Sequence, residues 1–332
     1  MASGTRPGAL VISLDFELLW GMRDHAEGHG MMAADLVTSR DHVRRLADLF
    51  AARGIRATWA TVGLLFARSR AELEPFLPSV RPVYKRSELD PYAETVGEDE
   101  ESDPLRLAGS LVRALAGTAG QEVASHTFSH YYCLEEGQDE AALRADLAAA
   151  RAIAAPLGVP LTSLVLPRNQ WNPAYARAVR ESGFSCYRGP QPSWGHHAQQ
   201  AETTSLARRA ARLADTYVGL SPPPTFGWDD LVEPSGLCNV AASAFLRPYS
   251  PRRQALEPRR HARLVAGLRT AAHRGRLFHL WWHPHNFARH PEESFGVLNG
   301  VLDEAERLTA SDGLLSLSMG DVAQMALSGR PS

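Results

Sequence analysis

Apolar residues fall along this chain in two alternating rhythms. Short, nearly unbroken runs such as Ala9-Leu-Val-Ile-Ser-Leu14 read as strands buried on both faces, as in a parallel sheet. Between them apolar positions recur at helical spacing, first at Val43, Leu46, Leu49 and Phe50. That spacing predicts a helix over Ser39–Arg53, with Ser39 as N-cap and Gly54 just past its end. Ile55–Thr61 reads as the second strand and completes a βαβ unit. Helical spacing returns over Leu105–Leu115 and leads into a short strand at Glu122–Ala124. An Ala-rich helix follows over Asp139–Leu157, ending at Gly158, then a buried strand at Thr162–Leu166. Pro173 opens the next helix at its first position, and Phe184–Tyr187 is a short strand.

The rhythm fails in two places. Val80–Pro104 shows neither period, and the acidic stretch Glu98–Asp103 inside it reads as a solvated loop. Arg188 to Pro258 is irregular as well, with a candidate helix at Leu206–Leu220 and a stretch, Asn239–Tyr249, that is ambiguous between strand and loop. The pattern resumes with an amphipathic helix at Pro258–His273 and a strand at Leu277–Trp282. A helix at Glu292–Leu308, a strand at Leu314–Leu317 and a short helix near Met319 complete the chain. Strand and helix alternate with no break in composition. One βα barrel of about seven or eight strands, spanning 1–332 as a single domain, is the economical architecture. The segment around 188–258 is expected to be an insertion that shapes specificity.

Composition narrows the class. The chain has 332 residues, 44% of them hydrophobic, which suffices for a sizeable core. A formal net charge of −2 gives no basic footprint for nucleic acid. The three cysteines, Cys133, Cys186 and Cys238, are far apart and form no disulfide framework. No apolar run is long enough to span a bilayer, and Met1 to Gly8 carries no signal-peptide pattern, so a cytoplasmic protein is expected.

Chemistry-bearing residues recur just after the predicted strands. Asp15 and Glu17 follow the first, His126 and His130 the third, Arg168 the fourth, and His283 and His285 a late one. In a βα barrel all of these lie at the carboxyl ends of the strands, where active sites assemble. His126 and His130 are four positions apart, so on a helical turn they share one face and could ligate one ion. One carboxylate and two imidazoles with an open position make a catalytic zinc-type site, which activates a water and polarises a carbonyl. A second carboxylate would serve as base, and a separate histidine would protonate a leaving amine. Trp281 and Trp282 read mostly as core, with one of them free to face the site because successive strand residues point opposite ways. His25, His29, His42, His261, His273 and His290 read as solvated, His279 as structural, and the loop residues His196 and His197 as more often solvated than substrate contacts.

Four stretches in order resemble the polysaccharide deacetylase family, the NodB-homology group related to family 4 carbohydrate esterases, over Leu10 to about Phe287. His-Thr-Phe-Ser-His at 126–130 resembles the family's His-[Ser/Thr]-x-x-His metal pair. Ser-Leu-Asp-Phe-Glu at 13–17 stands where the family has Thr-Phe-Asp-Asp-Gly, which implies Asp15 as base and, with Phe16 replacing the usual ligand, Glu17 as the third ligand. Pro-Arg-Asn-Gln-Trp-Asn-Pro at 167–173 resembles the Arg-x-Pro motif, which implies that Arg168 holds Asp15 ionised and that Asn169 and Trp171 line the substrate wall. Leu-Trp-Trp-His at 280–283 resembles Leu-x-Leu-His and implies His283 as the acid, with His285 as competitor for that role and otherwise a substrate contact. Trp20, Trp59 and Trp171 are aromatic candidates for stacking on a sugar ring, or for simple packing. A backbone N–H at Tyr131 or a neighbour is a candidate for an oxyanion site.

The resemblance implies a distorted (β/α)7 barrel and hydrolysis of an N-acetyl or related N-acyl group on an amino-sugar-containing or glycosylated small molecule. It implies a divalent metal, zinc first, with cobalt, nickel or iron also suited to these ligands. Two alternatives remain on the same scaffold: a deformylase or non-sugar amidohydrolase, and an inactive carbohydrate-binding member. A metal-dependent isomerase on an eight-stranded barrel is more distant.

Overall fold

All of strand β1 (Ala9–Phe16) is buried, and it lies at the centre of a parallel sheet. The structure, a computed structural model, describes residues 6–23, 29–190, 217 and 224–328. After β1 come α1 (His29–Ala52), β2 (Ala57–Thr61), α2 (Arg70–Leu73), α3 (Gly109–Gly117) and β3 (Gln121–Ser125). The middle of the chain gives α4 (Glu140–Ala154), β4 (Ser163–Leu164), α5 (Ala176–Glu181) and β5 (Cys186–Tyr187). Then follow β6 (Cys238–Asn239), β7 (Ala244–Phe245), α6 (Glu257–Arg274) and β8 (Leu277–Trp282). The described chain ends with α7 (Pro291–Asp312), β9 (Leu315–Leu317) and α8 (Met319–Ser328).

The strand order is β6-β5-β4-β3-β2-β1-β8-β7, with every pairing parallel. One edge of β1 takes β8 from Ala9 to Leu14. Its other pairings are to β2 over Ser13–Phe16 and to β9 over Ala9–Val11. The sheet opens between β6 and β7, and one continuous piece of chain crosses the opening. On one side Cys238, Val240 and Ala242 donate to Ser185, Tyr187 and Gly189. On the other, Ser243 and Leu246 donate to His279 and Trp281 of β8. β6 and β7 are thus two halves of one kinked position, and the architecture is the distorted (β/α)7 barrel expected from the sequence. The ambiguity of Asn239–Tyr249 has a physical cause, since each half pairs for only two residues.

The two-residue period of β1 and β8 sorts side chains into layers. Leu10, Ile12, Leu14 and Phe16 join Phe278, Leu280 and Trp282 in the cluster beneath the helices. Ala9 and Val11 join Leu277, Cys186, Cys238 and Val240 inside the barrel. Further along the same interior face the residues turn polar: Ser13 and Asp15 on β1, and His279 on β8, are all buried. Each large apolar side chain removed from water contributes roughly 1.5–3 kcal/mol, so the apolar layers carry the polar one.

Two expectations are corrected. Helix α1 begins at His29, ten residues before Ser39. Ser39 is buried within the helix, and its hydroxyl donates back to the Leu36 carbonyl at 2.6 Å, the mid-helix alternative to capping. Gly54 has the positive φ expected of it, 63°. The Val80–Pro104 segment is not simply solvated: Tyr84 and Leu89 are buried with Tyr132, and Glu100 pairs with Arg40 at 3.0 Å. The expectations for His25, His196 and His197, for the side chain of His29, and for a helix at Leu206–Leu220 apart from Tyr217 concern residues outside those described. Among the described residues no helix is long and apolar enough to cross a membrane.

Candidate active site

Glu17, His126 and His130 come together at the carboxyl end of the barrel. Their ligand atoms lie within 4.8 Å of one another and all three residues are buried. Glu17 Oε2 is 3.3 Å from His126 Nε2 and 3.1 Å from His130 Nε2. The tautomer of His126 is set by its surroundings. Its Nδ1 is 2.8 Å from the Val165 carbonyl, which can only accept, so Nδ1 carries the proton and Nε2 presents a lone pair. That Nε2 is buried with no hydrogen-bond partner, facing a carboxylate oxygen. Lone pair against lone pair is unfavourable in a dry site unless a cation lies between them. Burial holds His130 down to about 3 despite Glu17 beside it, so its ring is neutral near pH 7 as a ligand requires. The donor set therefore fits a divalent ion.

The histidine pair is not carried on a helix. Thr127 has φ 63° and His130 φ 58°, both left-handed, and each costs of order 1–3 kcal/mol in a non-glycine residue. The turn is held by outside partners. His126 N–H donates to Thr61 at 2.9 Å, and Gly63 and Leu64 donate to the carbonyls of Thr127 and Phe128. Tyr131 N–H donates to the Thr127 hydroxyl at 2.7 Å and Tyr132 N–H to the Tyr84 hydroxyl at 2.9 Å. Neither amide is available to an oxyanion, which overturns the expectation for Tyr131 and removes this neighbour too. Asp146, buried on α4, accepts from the turn, and burial pushes its carboxyl up to about 6 against those bonds.

Asp15 lies inside β1 and faces the same space. Its partner is Arg188, not Arg168. The Arg188 guanidinium donates Nη1–H to Oδ1 and Nη2–H to Oδ2, both at 2.7 Å. Arg188 also donates to Ser13 Oγ at 2.9 Å and to Asn169 Oδ1 at 3.0 Å, and stacks over Trp281 at 4.2 Å. Burial alone would raise Asp15, but Arg188, with His126 and His283, outweighs it and holds the carboxyl below its usual value. Glu17 is likewise raised by burial and lowered further by His283, His126 and His130, ending well below the usual range. Arg168 sits elsewhere, 3.6 Å from Glu135 and over the Tyr132 ring at 4.4 Å. Two consecutive left-handed residues, Arg168 at φ 57° and Asn169 at φ 51°, turn the Asn169 side chain to Arg188.

Behind Arg188 a fixed chain of bonds continues. His279 Nδ1 donates to the Val240 carbonyl at 2.9 Å, so its Nε2 accepts from Ser13 Oγ at 2.8 Å. Ser13 oxygen in turn accepts from Arg188. Burial lowers His279 to about 3. The structural role expected for His279 is therefore to back the Asp15 counter-ion.

His283 follows β8 with Nε2 3.4 Å from Glu17 Oε1 and 3.8 Å from Asp15 Oδ2, and its side chain is 22% exposed. His285 stacks on it, ring centroids 4.9 Å apart, and is pushed down to about 4 by burial and then by His283. Trp281 shares the interior face with His283, while Trp282 is fully buried in the outer layer. The remaining expected contacts lie as follows. Trp20 is core, 1% exposed, with Nε1 donating to the Arg106 carbonyl, so it offers no surface to a sugar. Trp171 is half-buried and stacked on Tyr187 at 3.8 Å. Asn169 contacts Arg188 rather than open space.

Sequence reasoning missed Arg188. The signal was available: Arg188 directly follows a strand, as do the other charged residues of the site, but it was read as the first residue of the irregular segment.

No protein-family model matches the chain, and no curated protein matches its sequence. Solved structures do. A Mycobacterium smegmatis protein classed as a polysaccharide deacetylase superposes with TM-score 0.61 and 14% identity, over 100% of this chain and 97% of its own. A Pseudomonas aeruginosa PAO1 protein classed likewise gives 0.59 and 15%, over 98% and 92%. The PuuE allantoinase gives 0.55 and 15%, over 99% and 93%. This chain has the distorted (β/α)7 barrel fold of the NodB-type polysaccharide deacetylases.

Proposed function

We propose that the chain is a metal-dependent amide hydrolase that removes an N-acetyl or related N-acyl group from an amino-sugar-containing substrate. The observation that carries this reading is the unpartnered His126 Nε2 against Glu17, with His130 completing the set and the Asp15–Arg188 pair and His283 beside it. A divalent ion held by Glu17, His126 and His130, zinc first among zinc, cobalt, nickel and iron, would polarise the acyl carbonyl and stabilise charge on its oxygen.

The residues divide the proton work. Asp15, kept ionised by Arg188, takes a proton from the attacking water, whose oxygen bonds to the acyl carbon. The carbon–nitrogen bond then breaks. His283 Nε2, which faces both carboxylates, delivers a proton to the departing amine. His285 stacks behind His283 and fixes its ring. The products are a carboxylic acid and a free amine.

A second reading, hydrolysis of a non-sugar amide, is favoured by one observation. The allantoinase superposes over as much of the chain as the two deacetylases do.

The test is elemental analysis of wild type and of His126→Ala/His130→Ala, prepared without a metal-binding tag, followed by acetate and formate release from N-acyl sugars and ring amides. About one metal per chain in wild type, lost in the double variant, supports the reading. A wild-type protein that stays metal-free after reconstitution overturns it. Turnover confined to the ring amides selects the second reading.

A further inference from the structure

We propose that Asp146 is the positioning residue of the metal centre, fixing from α4 the turn that presents His126 and His130. The inference rests on reading Glu17, His126 and His130 as the ligands.

Between the two histidines stand Thr127, Phe128 and Ser129. A helix would satisfy their amides within its own turns, but the left-handed Thr127 and His130 make that impossible here. Phe128 N–H instead donates to Asp146 Oδ1 at 2.6 Å, and Ser129 N–H to Oδ2 at 3.0 Å. The Ser129 hydroxyl closes on the same Oδ2. Three donors from consecutive residues thus converge on one carboxylate that is 1% exposed. On the other side of the turn, the backbone of Gly63 and Leu64 grips the carbonyls of Thr127 and Phe128. Arg23 reaches from Trp20 O, at 2.9 Å, to Ser129 O, at 3.4 Å. It thereby links the segment after Glu17 to the segment between the histidines. Asp146 is the anionic member of this frame, and only an acceptor on both oxygens fits all three donors. An asparagine keeps the shape but turns an N–H₂ toward a donor.

A group that merely stabilises the fold would change the unfolding midpoint and leave the folded protein's metal affinity alone. A positioning group changes the affinity of the folded protein. The experiment measures Zn²⁺ affinity by competition with a chromophoric chelator, on full-length wild type, Asp146→Asn, Ser129→Ala and His126→Ala, with thermal unfolding followed in parallel. For Asp146→Asn we expect zinc binding weakened roughly 10- to 100-fold, the range for groups that orient ligands. Ser129→Ala removes one of the three donors and should weaken binding roughly two- to tenfold. Wild-type affinity in folded Asp146→Asn overturns the inference while leaving the ligand reading intact. If Asp146→Asn does not fold, unchanged affinity in Ser129→Ala overturns it. A wild-type protein that binds none of zinc, cobalt, nickel and iron overturns both.

Discussion

Arg188 clasps Asp15 through two parallel hydrogen bonds of 2.7 Å, with the arginine 2% and the aspartate 3% exposed. A guanidinium fork matches a carboxylate in a way that a lysine ammonium does not. Removing one partner of such a pair leaves a buried charge alone, at about 3–5 kcal/mol. Arg188→Met is therefore expected to lower stability by that amount in urea unfolding and to reduce acyl release at least about 100-fold. Arg168→Met, which leaves the Asp15–Arg188 pair intact, should cost less stability and far less activity than Arg188→Met. The opposite ranking of these two variants would return the role to Arg168.

Gly21 gives a sharper probe of the metal ligand. A Cβ built there would lie 2.1 Å from Glu17 Cδ and 2.2 Å from Oε1. Gly21→Ala must push the carboxylate out of line with the two imidazoles. We expect metal affinity to fall at least about tenfold, as when ligand orientation is lost, with the chain still folded by circular dichroism. Undiminished affinity would show that Glu17 is not held where the ion binds.

The two adjacent tryptophans of β8 should separate stability from turnover. Trp282 is fully buried, stacked on Phe287 and edge-on to Phe50. Truncation to alanine there should cost about 3–5 kcal/mol. Trp281 faces inward over Arg188 and 5.7 Å from His283. Trp281→Leu is expected to cost under about 2 kcal/mol while lowering kcat/KM roughly tenfold, through the loosened guanidinium. Denaturant midpoints and steady-state rates on the same preparations decide it.

Stability should fall on acidification, and His279 supplies part of the slope. Its pKa is about 3 in the fold against 6.5 as the ordinary value. Above pH 6.5 the ring is neutral in both states and its contribution is constant. Between pH 6.5 and about 3 the unfolded chain takes up a proton that the fold excludes, so stability drops as pH falls. From pH 7 to pH 5 this amounts to about 2 kcal/mol for the one group. His279→Gln should flatten the pH dependence of the unfolding midpoint over that range. An unchanged slope would refute the assignment.

How far the sequence could be read depends on how long each element is. β1 and β8 are long, mostly apolar runs, legible to within a residue or two. β4, β5, β6 and β7 are two residues each, too short for any period to register. Arg188 went unrecognised because it follows one of these. The histidine pair was legible as a motif, yet its geometry was not: helical spacing suggested a shared face, whereas two left-handed residues achieve it. Nothing in the local sequence announces Asp146 or the Ser129 bond to it. Tyr131 was misjudged because its amide is taken by a threonine four residues back.

The placement of β1 has a consequence for biosynthesis. This strand leaves the ribosome before its neighbour β8, which follows about 260 residues later. At ordinary elongation rates that is a wait of tens of seconds. Through that interval one long edge of β1 has no partner, and an open apolar edge invites pairing with other chains. His283 and Trp281 arrive with β8, so the nascent barrel gains the neighbour of β1 and the rest of its polar cluster in one event. A chain cut before β8 should therefore yield a chaperone client that aggregates once released, not a smaller working domain.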